Sequence, residues 1–425
     1  MTTSRVESAA PSSRCGFATI YDESEFWAEG SLCCWRSTWG ESDRCIWHAQ
    51  EESKPLSLLK KNLNDTEQRL DSAYLPKLDA SGIPELFSNN LDASDLSRSS
   101  FENAELSDVS LNGAILYQAD LSKAHLTGSE LRSANLSQAD LTKADLKGAH
   151  IREAQIVDSN LVGANLSETT CYSTKFHSSE LSDANFTGAW LEEAQLIGII
   201  GKGTDFSNLD AVGCDFQGSE LKNSVFTEAD LSDSSFTESS ISGTDFSHSD
   251  VSNTSFSDVE AVDMNCESMN ALNADFSHAK IAYSDFSDSN LHHADLQDSQ
   301  AMCSDFSGSD CQNSNFKEAN LRESTLEDAN FRSANLSDTE LEEASLEFTD
   351  LRSSDLSEFR LVGTITNRTL IDEDTKLGIS GYEPDDYSAA IISYKKIQRL
   401  LRENSLEYLL PGYRIKEMNC RKWKS

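Results

Sequence analysis

The chain has 425 residues, of which 38% are hydrophobic and 8% aromatic, too few for a conventional core of that size. Its 35 Lys+Arg against 72 Asp+Glu leave a formal charge of −37, which excludes a whole-chain nucleic-acid binder because gripping phosphates takes an excess of cations. Such polarity can mark disorder, but only 6 prolines occur and large apolar residues recur at regular intervals, so order of an unusual kind is expected.

Residues 1–14 lack the apolar core of a secretory signal and read as a disordered terminus. No later run approaches the ~20 apolar residues that span a bilayer. The 10 cysteines are too sparse for a disulfide framework and fit a soluble chain in a reducing, cytoplasmic compartment. Residues 15–50 hold Cys15, Cys33, Cys34, Cys45 and His48, together with four of the 6 tryptophans. Cys45 and His48, three residues apart, can grip one ion from a turn. With Cys15 and Cys33, or its neighbour Cys34, they satisfy tetrahedral Zn²⁺. So short a segment cannot fold on packing alone, and a structural metal supplies what its core lacks. Buried unliganded thiols and a redox site are the alternatives. Residues 51–85 read as a linker and N-terminal cap.

From Leu86 to Leu361 every fifth residue is apolar without a slip: 56 positions, with 29 Leu, 14 Phe, 4 Ile, 1 Val, 3 Cys, 4 Ala and one Gly, Gly201. Helices repeat at 3.6 and strands at 2, so a period of five belongs to neither. Two residues before these positions the side chain is usually small, Ala, Ser or Thr, as in Ala134-Asn135-Leu136 and Ala139-Asp140-Leu141. One large and one small inward residue per pentamer describe a chain that turns a corner every five residues.

Those stretches resemble the pentapeptide-repeat family, whose pattern is Ala-(Asp/Asn)-Leu-X-X. The resemblance implies an all-β solenoid, a right-handed quadrilateral β-helix with four pentamers per coil, over residues 86–361. Fourteen coils at a strand spacing of ~4.8 Å would give a rod of roughly 67 Å. Phe176, Phe186, Phe206, Phe216, Phe226, Phe236, Phe246, Phe256, Phe276, Phe286, Phe306 and Phe316 then fall on two opposite walls, with smaller residues on the other two. Cys171, Cys266 and Cys311 read as small inward hydrophobes. Ile199 in a small slot and Gly201 in a large one predict a bulge or short excursion. The carboxylates that precede the large residues, Asp120, Asp140, Asp245 and Asp285 among them, read as a solvated surface spread over all four faces, and His292-His293 as rim residues. No P-loop, nucleotide fingerprint or Ser/His/Asp arrangement occurs, so an enzyme is not expected.

Residues 362–385 read as a linker. In residues 386–425 the spacing Ile391, Tyr394, Ile397, Leu401 predicts an amphipathic helix. Residues 395–425 carry 9 Lys+Arg against 3 Asp+Glu, so this basic segment either caps the solenoid or meets an acidic partner or membrane surface. The Cys/His segment and the tail resemble those of haloarchaeal pentapeptide proteins, some of which continue into channel-type membrane segments. The expected function is a non-enzymatic scaffold for protein–protein contacts in a salt-adapted cell. One alternative comes from repeat proteins related to quinolone-resistance factors, viewed as DNA mimics that bind type II topoisomerases. Another is a soluble relative of a membrane-channel-linked sensor module.

Overall fold

The computed structural model describes residues 73–80, 90–357, 361–377 and 387–424, together with 18–19, 32–33, 47, 54, 59, 70 and 359. It falls into two compact units, Met1–Asn185 and Phe186–Ser425.

Both units are built from one hydrogen-bonding scheme, which accounts for all five amides of a pentamer. In the pentamer that starts at Leu136, the Leu136 N–H donates to Gln155 O of the next coil (2.7 Å) and the Gln138 N–H to Val157 O (2.8 Å). The Ala139 N–H closes a turn on Leu136 O (3.0 Å), and the Asp140 N–H reaches back to Ala119 O (3.0 Å). That leaves the Ser137 N–H, and the Asn135 side-chain oxygen accepts it at 3.0 Å. The third turn residue, Gln138, has φ +59°, the sign that a type II turn requires there. The same position is left-handed in pentamer after pentamer, which is why Asn, Asp and Gly crowd it.

In the first unit the parallel bridges join residues 20 apart, from Asp95↔Ile115 to Asn165↔Asn185, which is four pentamers per coil. Tyr74↔Asp95 and Asp79↔Ser100 are 21 apart, so pairing begins upstream of Leu86 with one extra residue. Trp47 is fully buried, and its carbonyl accepts the Tyr74 N–H at 2.7 Å. β1 (Ala18–Thr19) pairs antiparallel with β2 (Leu32–Cys33). The core of this unit is mostly Leu, from Leu91 to Leu181.

The second unit repeats the spacing of 20 from Trp190↔Asp210 to Asp350↔Leu370. Its walls are named here by their large residues: wall 1 carries Phe186 and Phe206, wall 2 Leu191 and Ala211, wall 3 Leu196 and Phe216, wall 4 Gly201 and Leu221. Phe186, Phe206, Phe226 and Phe246 stack on wall 1 with centroids 4.7–5.1 Å apart, and Phe216, Phe236, Phe256 and Phe276 do so on wall 3 at 4.6–5.1 Å. The two columns meet edge to face at 5.6–6.0 Å, for example Phe226 on Phe236, so two opposite walls fill the axis as expected.

The bulge expected at Gly201 does not form. The Gly201 N–H donates to Glu220 O at 2.8 Å, and Ile200 bridges Glu220 in the ordinary register. The reason is an exchange of sizes between the two inward slots. A Cβ at Gly201 would lie 2.9 Å from Leu221 Cδ2 and 3.8 Å from Ile199 Cδ1, so neighbouring side chains already occupy the space. Leu209 before Ala211, Val259 before Ala261, Met264 before Cys266 and Met269 before Ala271 repeat the exchange, and all of these residues are buried. Many buried hydroxyls in the small slots are satisfied by the preceding coil, as Ser239 Oγ donates to Phe216 O (2.7 Å) and Thr254 Oγ1 to Leu231 O (2.7 Å), and others, such as Ser249 Oγ on Phe246 O (2.6 Å), close on their own turn.

Pairing continues past Leu361. Ser345 bridges Ile365, and β3 (Asp355–Leu356) pairs parallel with β4 (Lys376–Leu377). Helix α1 (Tyr387–Glu403) buries Ile391, Tyr394, Ile397, Leu400 and Leu401, as its spacing predicts. It is tied to the last coil by polar bonds. The Lys396 ammonium donates to Thr364 O, Arg399 donates to Asn367 Oδ1 (3.1 Å), and Asn404 donates to Thr369 O (2.9 Å) while accepting from the Ile371 N–H (3.0 Å). α2 (Leu410–Lys424) follows a short 3₁₀ turn, Glu407–Leu409, and its Tyr413 hydroxyl donates to Leu377 O at 2.8 Å. The helices cover the open end of a sheet ladder, which would otherwise template aggregation. Burial, with Arg399 nearby, pushes the Lys396 ammonium down.

Candidate interaction surface

Among the described residues no group of three or more His, Cys, Asp and Glu is placed to hold a metal ion, which overturns the expected structural Zn²⁺. Of its four expected ligands, Cys15, Cys45 and His48 lie outside the described residues. Cys33 is described only as backbone in β2, paired with Ala18. Many of the carboxylates that the repeat brings close are already engaged: Asp205, Asp245, Asp285 and Asp305 each accept a backbone N–H two residues on rather than converging on a shared centre. His292 and His293 pack edge to face at 4.3 Å on the rim, with Asn313 Nδ2 3.5 Å from His292 Nε2. Cys171, Cys266 and Cys311 are buried. Burial pushes the Cys171 and Cys311 thiols up to about 12, and Cys266, with Asp285 and Asp245 near it, well above its ordinary range, so none is a nucleophile.

What the repeat builds instead is a surface. Each pentamer exposes three positions: the residue before the large one and the two after it. In many pentamers the first of these is an Asp or Asn that caps the spare amide. Asp205, Asp215, Asp245, Asp285 and Asp305 accept the N–H two residues on at 2.8–3.0 Å, and a Ser at that place adds its hydroxyl, as Ser207 does to Asp205 at 2.6 Å. Sequence reasoning took these acids for plain solvation. Sorting them by coil would have shown that Asp and Asn share the slot, a sign that an acceptor is needed there and charge is not.

Charge sorts by wall. Across residues 200–318 of the second unit, six coils, there are 22 Asp+Glu and 4 Lys, net −18. The exposed positions of wall 1 sum to −7, those of wall 2 to −5 and those of wall 3 to −6. Wall 4 sums to zero: Lys202, Lys222 and Lys280 balance Glu220, Glu260 and Asp263. The acids are spread over all four faces as expected, but the net charge is not, because lysines cancel it on wall 4. Residues 90–185 of the first unit carry 14 Asp+Glu against 7 Lys+Arg, a milder balance.

Across the described residues no helix is long and apolar enough to cross a membrane. Two cations that the sequence offers to an outside partner, Lys396 and Arg399, are engaged in the cap.

The family model described as Pentapeptide repeats matches in eight copies, over residues 90–128, 129–168, 179–218, 219–258, 272–308, 302–338 and 329–365. These ranges take in more than half of the chain, and the chain belongs to the pentapeptide-repeat family. Among solved structures, HetL, a pentapeptide repeat protein involved in heterocyst differentiation regulation from the cyanobacterium Nostoc sp. strain PCC 7120, is similar at 20% identity. The match covers 55% of this chain and 88% of HetL with a TM-score of 0.25. QnrB1, a plasmid-mediated fluoroquinolone resistance protein, matches at 18% identity over 41% of this chain and 82% of its own, with a TM-score of 0.31. A pentapeptide repeat protein from the Arabidopsis thaliana thylakoid lumen matches at 24% identity over 27% of this chain and 67% of its own, with a TM-score of 0.12. No curated protein matches the chain in sequence.

Proposed function

We propose that this chain is a non-enzymatic binding protein whose second unit presents duplex-like negative charge to a protein surface built for DNA. The observation that carries the reading is a linear charge density. Stacked rings on successive coils lie 4.6–5.1 Å apart. Six coils at ~4.8 Å make ~29 Å, and 18 net charges over that length are one per ~1.6 Å, against one per ~1.7 Å of B-DNA. Salt adaptation, the competing account of the acidity, calls for charge on every exposed face, and wall 4 has none to spare. A type II topoisomerase is the partner class to try first, since its DNA-binding surface must match a long stretch of duplex.

The test is competition. Full-length protein is titrated into a type II topoisomerase bound to labelled duplex, and displacement is read by anisotropy at low and moderate salt. The comparison variant carries Asp205→Asn, Asp245→Asn, Asp285→Asn and Asp305→Asn on wall 1. Asn keeps the backbone cap, as Asn135 and Asn165 do, and removes the charge. Displacement by the native chain, weakened about tenfold or more in the variant and by added salt, supports the reading. Equal displacement by both chains, or none by either, refutes it.

A further inference from the structure

We propose that wall 4 of the second unit is the surface through which two copies of this chain pair, antiparallel and face to face.

Like charge opposes self-association on walls 1, 2 and 3, whose exposed positions sum to −7, −5 and −6. Wall 4 alone is neutral over the same six coils, and it carries an apolar strip: Val262, Ala282 and Met302 follow one another at intervals of 20, flanked by Tyr283 and Cys303. Val262 is 39% exposed, Tyr283 58% and Ile200, on the same wall, 37%. Tyr283 also holds a left-handed backbone, φ +62°. A bulky residue there costs about 1–2 kcal/mol that Gly or Asn would avoid, and inside one chain its ring gains little burial in return. Gly243 and Gly203 occupy the equivalent corner two and four coils away and keep the face flat there.

The order of charges along the wall selects the arrangement. Let a two-fold axis cross wall 4 between Ser240 and Glu260, in the plane of the face and perpendicular to the coil stack. Antiparallel pairing then sets Glu220 of one copy against Lys280 of the other, twice per dimer by symmetry. Ser240 meets Glu260, Ile200 meets Gln300, Lys222 meets Ala282, and Asn223 meets Tyr283. Within these six coils no like charges oppose each other. Within one chain Lys280 already reaches Glu260 at 2.9 Å and Lys202 reaches Glu220 at 3.0 Å, and all four side chains remain at least half exposed. Such pairs contribute little alone, and stacking two walls joins them into alternating rows. The footprint, ~29 Å by at most ~16 Å for five residues of strand, lies at the small end of specific interfaces, so the dimer is weak and concentration-dependent.

Sedimentation velocity on the full chain over roughly 1–100 μM tests this. The expected result is a reversible monomer–dimer equilibrium in that range. Lys280→Glu sets like charges together twice and weakens it about tenfold or more, as does Glu220→Lys. The double variant E220K/K280E restores the contact in reversed sense and regains native affinity. Asp258→Asn, an exposed change on wall 3, leaves the equilibrium unmoved. Circular dichroism confirms that each variant is folded. A chain that stays monomeric throughout, a double variant no better than the singles, or a dimer that tolerates K280E yet disappears when residues 405–425 are removed each overturns the assignment.

Discussion

Replacing Gly201 by Leu installs the residue that the five-residue pattern asks for at that position, and a consensus argument expects it to stabilise the chain. Packing expects the opposite. The added Cβ alone meets Leu221 Cδ2 at 2.9 Å and Thr204 Oγ1 at 3.1 Å, and Ile199 Cδ1 lies at 3.8 Å. A whole isobutyl group has nowhere to go while the fully buried Ile199 stays, so overpacking costs about 1–3 kcal/mol or more. Ile199→Ala alone opens a cavity that Gly201 cannot fill, at about 2–5 kcal/mol. Together the two changes rebuild the ordinary Ala-X-Leu pentamer, and the double variant should lie within about 1 kcal/mol of the native chain, a coupling of several kcal/mol between touching residues. Solenoids depart from two-state unfolding. The readout is therefore hydrogen exchange at the Gly201 and Glu220 amides, which face the neighbouring coils, alongside guanidinium unfolding. A Gly201→Leu variant with stronger protection, or single effects that simply add, would refute the size-exchange account.

Acid should loosen the C-terminal coil. Burial opposes the charge of Asp350, Asp355 and Asp372, but the hydrogen bonds they accept, from Arg352, from Lys376 and Ser357, and from Ser353 and Thr375, outweigh it and hold all three below the ordinary carboxylate range. Folded-state values below the unfolded ones mean a stabilisation fully present above about pH 4 and lost as the pH falls through the folded values. Exchange protection of residues 350–377, corrected for intrinsic rates, should drop in that window and lose its pH dependence when the three are changed to Asn; protection that falls equally everywhere contradicts this. Asn404→Ala should uncap the same coil, since it removes the bonds to Thr369 O and the Ile371 N–H, about 1–3 kcal/mol for groups left unpaired. Increased exchange at Ile371 and a greater tendency to aggregate are the expected signs, and unchanged exchange there would mean that α1 holds on by its apolar face alone.

The sequence by itself determined the period, the inward residues and the two Phe columns, because a coil of 20 residues maps position onto wall by arithmetic and the hydrophobic effect settles which side faces in. The apolar face of α1 was legible for the same reason: Ile391, Tyr394, Ile397 and Leu401 recur at helical spacing. Tertiary structure alone decided two things. Gly201 sits in regular backbone because Ile199 and Leu221 fill its slot, a matter of volumes shared between side chains that no single-position pattern carries. The acids before the large residues are backbone caps, because the turn leaves one amide in each pentamer without a main-chain partner. The neutrality of wall 4 lies between sequence and structure: the 20-residue arithmetic assigns Lys202, Lys222 and Lys280 to that wall, but they are spread along the chain, and only a count sorted by wall, not one along the sequence, shows the place where the surface differs.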